Sequence, residues 1–440
     1  METKTTTYKI IVLLLLAISI FATGLSCTGR NNTSANLTFW DISGNDAAWR
    51  AVISDFERLN KGMKVNYIAK SSATYEEELL DAMASGNGPD IFTIRNDWLP
   101  RYGDKISPLQ TDNNFSVRKL QTDYLPTLLN DFLIGDKVYG LAPSVDVLMM
   151  YYNRKLLTSA GIARPPATWP ELVNSTSRLT RIGFDGRINQ SAVSLGTANN
   201  ITNASEILQA LFLQSDVKFY DASFSNSSLS TGNQDENGDT PATRALRFYT
   251  QFADPVSRVY TWNNRLENDV DAFAQEKVAI IFGFGDLRKI LQAKNAFLDY
   301  GIASLPQLSA TGVKTNYTQY LAQTVWSGSN QAKATWEFIK FANSAEQSQK
   351  YSNTISQVST HLDAISLQQR DSGMGVFADN ALTAKSVIKP QTARFEKVLE
   401  EMIEDASSVG LEPKEAVSRA EDKIDSLLKQ YPLNIHGAQP

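Results

Sequence analysis

Cysteine and histidine are nearly absent from this chain, with one cysteine and two histidines among 440 residues. A single cysteine excludes a disulfide within the chain, and so few thiols and imidazoles leave no zinc or iron constellation. No metal site and no cofactor are therefore expected. His361 and His436 are also the only candidate bases for a serine hydrolase, and no G-x-S-x-G motif accompanies them. We interpret both as solvated histidines.

The chain also lacks a strong charge of either sign, since its formal net charge is −5 at pH 7 and is spread along the sequence. Nucleic-acid-binding domains carry a concentrated basic face, so nucleic acid is not expected as a partner. Glycine-rich phosphate loops are missing as well. The segment Gly283-Phe284-Gly285-Asp286 has neither the G-x-G-x-x-G spacing nor a Walker lysine. Nucleotide binding is therefore not expected.

No apolar run reaches the roughly 20 residues that a membrane-spanning helix needs. One shorter run, residues 10–22, follows a polar start that contains Lys4 and Lys9. A basic start, an apolar centre and small residues behind it are typical of a cleaved export signal. The sequence thus predicts an exported protein.

The only cysteine, Cys27, stands directly behind Ser26 at the end of this signal. In that position it resembles the lipidated cysteine of bacterial lipoproteins. We therefore predict a signal peptide with lipobox at residues 1–27, and a small, polar, flexible tether at residues 28–36. The protein is then extracytoplasmic and lipid-anchored to the outer face of the cytoplasmic membrane. The alternative is ordinary secretion with a free thiol.

Behind the tether, strand-like and helix-like patterns alternate. Residues 37–40, 63–67 and 90–94 alternate or run apolar as strands do, and helical spacing follows Asn45 and Thr74. The order β-α-β-α-β predicts an α/β fold with a parallel, doubly wound sheet. Thr74 with Glu77, and Thr168 with Glu171, have the spacing of capping boxes. Further α/β pattern follows from residue 147 onward, and the length allows two or three domain-sized units.

In open α/β sheets, ligands lie beyond the carboxyl ends of the strands. Here these ends carry Trp40-Asp41 and Asn96-Asp97-Trp98. Tryptophan rings beside hydrogen-bonding side chains suit the wall of a binding site, although they also serve as core anchors. Two other classes stay open. Asp41 and Asp97 could be the acid and base of a secreted carbohydrate-active hydrolase, or the chain could be an adhesive surface lipoprotein without a cleft.

The acidic stretch at residues 233–239 lies in a segment rich in Ser, Asn, Gly and Asp that extends over residues 221–240. Its spacing does not give the twelve-residue pattern of a calcium loop that ends in Glu. We interpret the segment as a solvated loop.

Several short motifs, in the order in which they follow one another along the chain, resemble those of a known family. They are Gly86-Asn87-Gly88-Pro89-Asp90-Ile91, Lys137-Val138-Tyr139-Gly140-Leu141-Ala142-Pro143, Tyr152-Asn153, Pro166-Ala167-Thr168-Trp169, and Trp336-Glu337-Phe338-Ile339-Lys340-Phe341. In this order the chain resembles the extracellular solute-binding proteins of the maltose-binding-like family, over about residues 37–428. The resemblance implies a two-lobed periplasmic-binding-protein-like fold, each lobe a mixed sheet flanked by helices.

The resemblance also implies the path of the chain between the lobes. Lobe one is expected at residues 36–144 and 305–328, lobe two at residues 145–304 and 329–432, and a tail at residues 433–440. Hinge crossovers are expected near Ser144-Val145-Asp146 and Leu305-Pro306. Closure of such hinges brings two lobes together on a ligand.

The implied ligand site is the cleft between the lobes. Lobe one is expected to contribute Trp40, Asp41, Asn45, Asn96, Asp97 and Trp98. Lobe two is expected to contribute Asp146, Thr197, Asn199, Phe284, Asp286 and Phe395, and the returning crossover is expected to contribute Tyr320. The implied function is non-catalytic: a monomer captures a small polar solute, with a sugar or oligosaccharide favoured, and delivers it to the transmembrane permease of an ABC importer. Many sugar-binding members carry Gly-x-Trp where this chain has Phe284-Gly285-Asp286, so a peptide, polyol or amino-sugar ligand stays open.

Overall fold

The computed structural model describes residues 34–113 and 115–433. Its first sheet begins with three parallel strands, Ala35–Asp41, Met63–Ala69 and Ile91–Arg95, with the first in the middle. The helices Asp46–Leu59 and Tyr75–Ala84 connect them. The predicted β-α-β-α-β order is therefore confirmed. A fourth strand, Leu321–Val325, returns much later in the chain and pairs antiparallel with Ile91–Arg95.

The strand Ala35–Asp41 shows why this sheet forms where the pattern predicted it. Leu37, Phe39 and Asp41 are buried on one face, as the two-residue period of a strand requires. Phe39 packs edge to face against Trp49 of the following helix, with ring centroids 4.9 Å apart. Alternating burial on the strand thus meets the apolar stripe of the helix, and together they build the core of this side.

The two predicted capping boxes differ in outcome. Thr168 accepts a hydrogen bond from the backbone N–H of Glu171 at 3.2 Å, and the Glu171 carboxylate accepts one from the backbone N–H of Ala167 at 2.8 Å. Thr74 does not cap its helix. Its backbone is in the right-handed helical region and not extended like that of Thr168, and its hydroxyl donates to the Glu78 carboxylate at 2.6 Å. The prediction is therefore wrong at Thr74. At Thr168 the cap is confirmed, with the Glu171 carboxylate on the N–H of the preceding residue.

The second sheet is mixed and contains five strands. In spatial order they are Tyr300–Ala303, Met149–Asn153, Val278–Gly283, Ile188–Val193 and Arg181–Ile182. Only Ile188–Val193 and Val278–Gly283 pair in parallel among them. This arrangement agrees with the predicted mixed sheet.

A third sheet links the other two, and we call it the crossover sheet. Its strands are Val358–Ser359, Ser144–Val147, Asn316–Gln319 and Ala384–Lys385. The chain runs from Ser144–Val147 into the second sheet, and from Asn316–Gln319 back into the first. These two strands pair antiparallel, with Gln319 opposite Asp146. The expected hinge at residues 144–146 therefore falls on a strand that connects the sheets, although its motion stays a prediction.

The helices cover the sheets from outside. Beyond those given above they are Leu99–Tyr102, Val117–Asp123, Pro126–Phe132, Arg154–Ser159, Trp169–Leu179, Ala204–Gln214, Pro241–Thr250, Asp269–Ala274, Leu287–Lys294, Ala332–Ala342, Ala345–Ile355, Leu362–Gln368, Gly375–Ala381, Thr392–Glu404 and Pro413–Gln430. A small additional sheet pairs Leu109–Gln110, Lys137–Val138 and Leu133–Ile134.

Two of these helices lie on a different side from the one the sequence suggested. Ala332–Ala342 and Ala345–Ile355 pack on the first sheet and its helices: Phe338 lies 5.1 Å from Phe56 between ring centroids, and Tyr351 lies 4.7 Å from Trp49. The division from resemblance had assigned residues 329–432 to lobe two. The Thr392–Glu404 and Pro413–Gln430 helices do pack on the second side. The assignment of the other segments to lobes stays a prediction.

The predicted signal peptide, Cys27, most of the tether and the tail from residue 434 lie outside the described residues. Within residues 34–113 and 115–433, no helix has both the length and the apolar character needed to cross a bilayer.

Candidate functional site

A cavity of about 670 Å³ lies where the first sheet, the second sheet and the crossover sheet meet. Its walls include residues that follow the carboxyl ends of the first-sheet strands, as the rule for open α/β sheets predicts. The first-sheet side supplies Ile42, Ser43, Asn45, Ser72, Glu76, Arg95, Trp98, Leu321, Tyr351 and Ile355. The crossover strands and their flanks supply Pro143, Ser144, Asp146, Gln319, Tyr320 and Gln357. The second-sheet side supplies Thr202, Asn203, Val270, Phe284, Asp286, Leu287, Lys289, Ile290, Gln391, Thr392, Ala393 and Glu396.

Asp41 supports this cavity from behind and does not line it. Its carboxylate accepts hydrogen bonds from Tyr67 Oη at 3.0 Å, Thr93 Oγ1 at 2.7 Å, and both the backbone N–H and the hydroxyl of Ser43. Burial raises the pKa of the Asp41 carboxyl, against the lowering effect of these donors. All of its hydrogen bonds thus go to the protein, and its effect is to hold Ser43 at the cavity wall.

The two predicted tryptophans have different environments. Trp40 points to the face of its strand opposite Phe39, and Lys70 Nζ lies 3.7 Å from its ring centre. Trp98 does line the cavity, but its ring stacks on Tyr102 and Tyr75 with centroids 5.6 and 6.4 Å away. Only 6% of Trp98 is exposed. The protein itself therefore covers most of the surface that was expected to stack on a ligand.

Asn96 and Asp97 are buried and lie behind the cavity. Asn96 Oδ1 accepts from the backbone N–H of Tyr320 at 3.2 Å. Asp97 Oδ1 lies 3.3 Å from Arg95 Nε, and its Oδ2 accepts from Thr392 Oγ1 at 2.9 Å. The expectation that both line the cleft is corrected, because the chain turns at the strand end and presents Arg95 and Trp98 instead. Neither Asp41 nor Asp97 faces the cavity, so they do not form an acid and base pair across it.

Asp146 lines the cavity from the crossover strand. Its Oδ1 accepts from the backbone N–H of Gly285 at 2.8 Å, and its Oδ2 accepts from Gln357 Nε2 at 3.0 Å. Burial raises the pKa of this carboxyl to about 7; the hydrogen bond from Gly285 opposes the rise and the nearby charge of Asp286 adds to it. Asp146 thus joins the crossover to the second-sheet side and changes charge near neutral pH.

Four other predicted residues also line the cavity: Asn45, Phe284, Asp286 and Tyr320. Asn45 Nδ2 donates to Tyr351 Oη at 3.4 Å, and the Tyr320 hydroxyl donates to the buried Asp131. Asp286 is exposed at the start of the Leu287–Lys294 helix and makes no capping hydrogen bond there. Together with Trp98 and Asp146, six of the predicted residues are brought together.

Three residues expected from lobe two lie away from the cavity. Thr197 Oγ1 donates to Asn200, and the backbone N–H of Asn199 donates to Glu404 at 3.0 Å. Glu404 ends the helix whose first residue, Thr392, lines the cavity, and twelve residues of helix span about 18 Å. Phe395 is fully buried against Phe219. The helix instead presents Thr392, Ala393 and Glu396, while Thr202 and Asn203 replace Thr197 and Asn199.

Several cavity residues were missed from the sequence. Arg95 and Gln319 directly adjoin predicted residues, and Arg95 Nη2 donates to Gln319 Oε1 at 3.2 Å, so adjacency could have suggested them. Tyr351 and Gln357 carried no signal, since they come from a segment that had been assigned to the other lobe. In the part of the chain that the structure describes, no three His, Cys, Asp or Glu side chains are grouped to hold a metal ion.

Comparison with known proteins places this geometry in a family. The sequence profile of the bacterial extracellular solute-binding proteins matches residues 51–372, which is well over half of the chain. The galactooligosaccharide-binding protein of Bacillus subtilis is 22% identical over 336 residues, 75% of this chain and 74% of that protein.

Solved structures agree with this assignment. The sugar-binding protein MalE of Xanthomonas citri superimposes with a TM-score of 0.73 at 18% identity, over 90% of this chain and 98% of that one. The GacH receptor of Streptomyces glaucescens, which was solved unliganded and with acarbose, gives a TM-score of 0.68 at 19% identity, over 90% and 99% of the two chains. At such identities the superpositions establish the two-lobed fold of these proteins. The chain is thus a binding protein and not an enzyme, and it belongs to the bacterial extracellular solute-binding proteins.

Proposed function

We propose that this protein captures a sugar or oligosaccharide in the cavity between the two sheets and delivers it to the permease of an ABC importer. The observation that carries the proposal is the lining of the cavity, in which amides and hydroxyls stand beside aromatic rings. Asn45, Asn203 and Gln319 supply amides, and the rings of Phe284 and Tyr351, 6% and 4% exposed, supply a small aromatic surface. Amides form directed hydrogen bonds to sugar hydroxyls, while aromatic faces pack on the apolar side of a sugar ring.

The charges in the lining favour a neutral solute. Arg95 Nη2 and Glu396 Oε1 lie 3.6 Å apart, and Glu76 is paired with Arg101 at 2.7 Å. These partners compensate one another, so a ligand of high charge would leave one of them unpaired in a desolvated place. The volume of about 670 Å³ is within the usual range for small-molecule sites, which is roughly 300 to 1,000 Å³.

The known relatives support a carbohydrate. The Bacillus subtilis relative is a galactooligosaccharide-binding protein, the Xanthomonas citri structure is that of a sugar-binding protein, and the Streptomyces glaucescens receptor was solved with acarbose. An amino sugar, polyol or peptide is the second ligand class. The observation that favours it is the exposed Asp286 carboxylate, at the position where many sugar-binding members carry a tryptophan.

The proposal includes a lipid anchor at Cys27, and the position of the folded N-terminus is compatible with it. The first strand begins at Ala35 and ends at Asp41, and the cavity residues Ile42 and Ser43 follow its far end. Seven strand residues span about 20 Å, so a tether attached at Ala35 leaves the cavity mouth clear of the membrane surface. Cys27→Ala should move the protein from the membrane fraction to the medium, and metabolic labelling with palmitate should disappear with it. A protein that stays membrane-bound after this substitution would contradict the anchor.

The ligand is tested by thermal unfolding of the body (residues 34–440) with a panel of compounds. The panel contains maltooligosaccharides, galactooligosaccharides, chitooligosaccharides, polyols, amino sugars and short peptides. A ligand that binds only the folded state at 100 times its Kd stabilises it by about 2.7 kcal/mol, which raises Tm. A rise with neutral oligosaccharides and no product in the mixture is the expected result. A rise only with peptides or amino sugars selects the second class, and release of smaller sugars would overturn the receptor assignment.

A further inference from the structure

At the base of the cavity, six side chains connect the two sides directly, and we call them the bridging cluster. Arg95 ends a strand of the first sheet, and Asp97 and Trp98 follow it directly. Lys389 precedes the Thr392–Glu404 helix, and Thr392 and Glu396 lie in its first turns. That helix packs on Ala204–Gln214 of the second side. The backbone oxygen of Ile388 accepts from Tyr220 Oη at 2.7 Å, which fixes the segment around Lys389 to the same side.

Thr392 is at the centre of the bridging cluster. Its Oγ1 accepts the indole N–H of Trp98 at 3.1 Å and donates to Asp97 Oδ2 at 2.9 Å. One hydroxyl therefore satisfies a buried donor and a buried acceptor that belong to the other side of the cavity. A hydrogen bond to a carboxylate is roughly twice as strong as one between neutral groups. Asp97 Oδ2 also meets two residues of the other side, but its second contact, 3.8 Å from Lys389 Nζ, is an ion pair and not a hydrogen bond.

Charges reinforce these contacts. Lys389 Nζ lies 2.6 Å from Glu396 Oε1 and 3.8 Å from Asp97 Oδ2, and its side chain is 1% exposed. Arg95 Nη2 lies 3.6 Å from Glu396 Oε1. Net energies of buried ion pairs are small, because desolvation offsets attraction, whereas removal of one partner is costly. The charges thus specify which surfaces meet, and the neutral hydroxyl of Thr392 is the group whose loss can be tested without an orphaned charge.

We propose that the bridging cluster, with Thr392 at its centre, is a latch that favours the closed arrangement of the two sides by protein contacts alone. Thr392 belongs to one side and Trp98 and Asp97 to the other, so the proposal requires that rotation of the sides about the crossover strands lengthens these contacts. A latch of this kind raises the population of the closed form, and the apparent Kd of any ligand that binds this form falls in proportion. The effect on the apparent Kd rests on the proposed function, whereas the effect on the population of the closed form does not.

The latch is tested by the distance between two spin labels without any ligand. Glu77 and Gln292 are exposed, and neighbouring residues of their helices, Glu76 and Lys289, line opposite walls of the cavity. We therefore label E77C and Q292C in the body (residues 34–440), which excludes Cys27, and measure the distance distribution by double electron–electron resonance. The variants are Thr392→Val, which removes the hydroxyl at nearly constant size, and Thr392→Ser, which retains it.

Thr392→Val is expected to add a longer-distance population, and Thr392→Ser to leave the wild-type distribution. Two lost hydrogen bonds correspond to a shift of roughly tenfold or more in the ratio of closed to open forms. Identical distributions for wild type and Thr392→Val would overturn the latch, and equal lengthening in both variants would show that the hydroxyl is not its cause. If Thr392→Val does not fold, Trp98→Phe carries the same test, since it removes the indole N–H that donates to Thr392 and leaves every charge paired. A failed carbohydrate screen leaves this result untouched, so the two proposals fail separately.

Discussion

Asp146 Oδ1 accepts a hydrogen bond from the backbone N–H of Gly285 at 2.8 Å, which joins a crossover strand to the second-sheet side at the cavity wall. Gln357 Nε2 binds the other oxygen at 3.0 Å. The carboxyl is 9% exposed, and Asp286, Lys289 and Arg288 are the charged groups around it. A buried acid thus lies at the junction about which the two sides are expected to move.

The stability of the protein should depend on this acid. Burial raises the pKa of Asp146 to about 7 from an ordinary 3.8. Because the folded state holds the proton more tightly than the unfolded state, this group lowers the free energy of unfolding as pH rises from about 4 to about 7. Asp146→Asn should remove that pH dependence, so that the free energy of unfolding falls less between pH 5 and pH 8 than in wild type, by on the order of 1 to 3 kcal/mol. Urea denaturation of both proteins at pH 5 and pH 8 measures this difference in the free energy of unfolding.

The control for this experiment is Asp104→Asn, which changes an exposed carboxylate outside the cavity. It should retain the wild-type difference between pH 5 and pH 8. An Asp146→Asn protein with the same pH dependence as wild type would show that Asp146 has no raised pKa in solution.

Two asparagines provide a matched test of the cavity. Asn45 lines it, whereas Asn199 was expected there and lies at the far end of the Thr392–Glu404 helix. Asn45→Ala should weaken solute binding by about 5- to 30-fold, the effect of one or two hydrogen bonds at ~1 kcal/mol each. Asn199→Ala should bind as wild type does. Isothermal titration calorimetry of both variants, with the solute found by thermal unfolding, compares their affinities. Equal affinities would show that Asn45 does not contact the solute.

The two tryptophans should differ in stability more than in binding. Trp98 is packed between Tyr75 and Tyr102, so Trp98→Ala creates a cavity and should cost about 3 to 5 kcal/mol of the free energy of unfolding. Trp40 is half-buried on the other face of its strand, and Trp40→Ala should cost clearly less and leave solute affinity unchanged. Denaturant unfolding and titration of each variant measure these effects. A large loss of affinity in Trp40→Ala would restore it to the site.

The two threonines that were predicted to cap helices, Thr168 and Thr74, allow a further matched comparison of stability. Thr168 accepts from the backbone N–H of Glu171, and Thr168→Ala should lower the free energy of unfolding by about 1 kcal/mol. Thr74 is exposed and does not accept from its helix, so Thr74→Ala should cost only a few tenths of that. Denaturant unfolding of the two variants measures these free energies. Equal losses of stability would mean that Thr74 caps its helix in solution.

Much of the fold was predictable because its signals are local. The alternation at residues 37–40 and the helical spacing after Asn45 depend only on neighbouring residues, and the structure has a strand and a helix at both places. The predicted run at residues 147–153 was less informative. It divides at Leu148 into two strands of different sheets. Leu148 still donates its backbone N–H to Tyr317 of the crossover sheet, and the next residues pair with the second sheet, so the division depends on two partners that are distant in sequence.

The cavity was predictable only where it directly follows a strand of known direction. Asn45 and Trp98 were found in this way, but Asp41 was not distinguished from Ser43, since a strand end fixes the region and not the direction of each side chain. Phe395 and Glu396 are adjacent in sequence, yet one is in the core and the other faces the cavity. That choice depends on how the helix is rotated against its neighbours.

The sequence by itself predicted the export signal and determined the alternation of strands and helices and the family, because each depends on residues that are close together along the chain or on the order of motifs. The tertiary structure alone decided which side chains meet. Trp98 and Thr392 are 294 positions apart and form one hydrogen bond, and Tyr351 reaches the cavity from a helix packed on the first sheet. Such contacts depend on packing between distant segments, and no local periodicity encodes them.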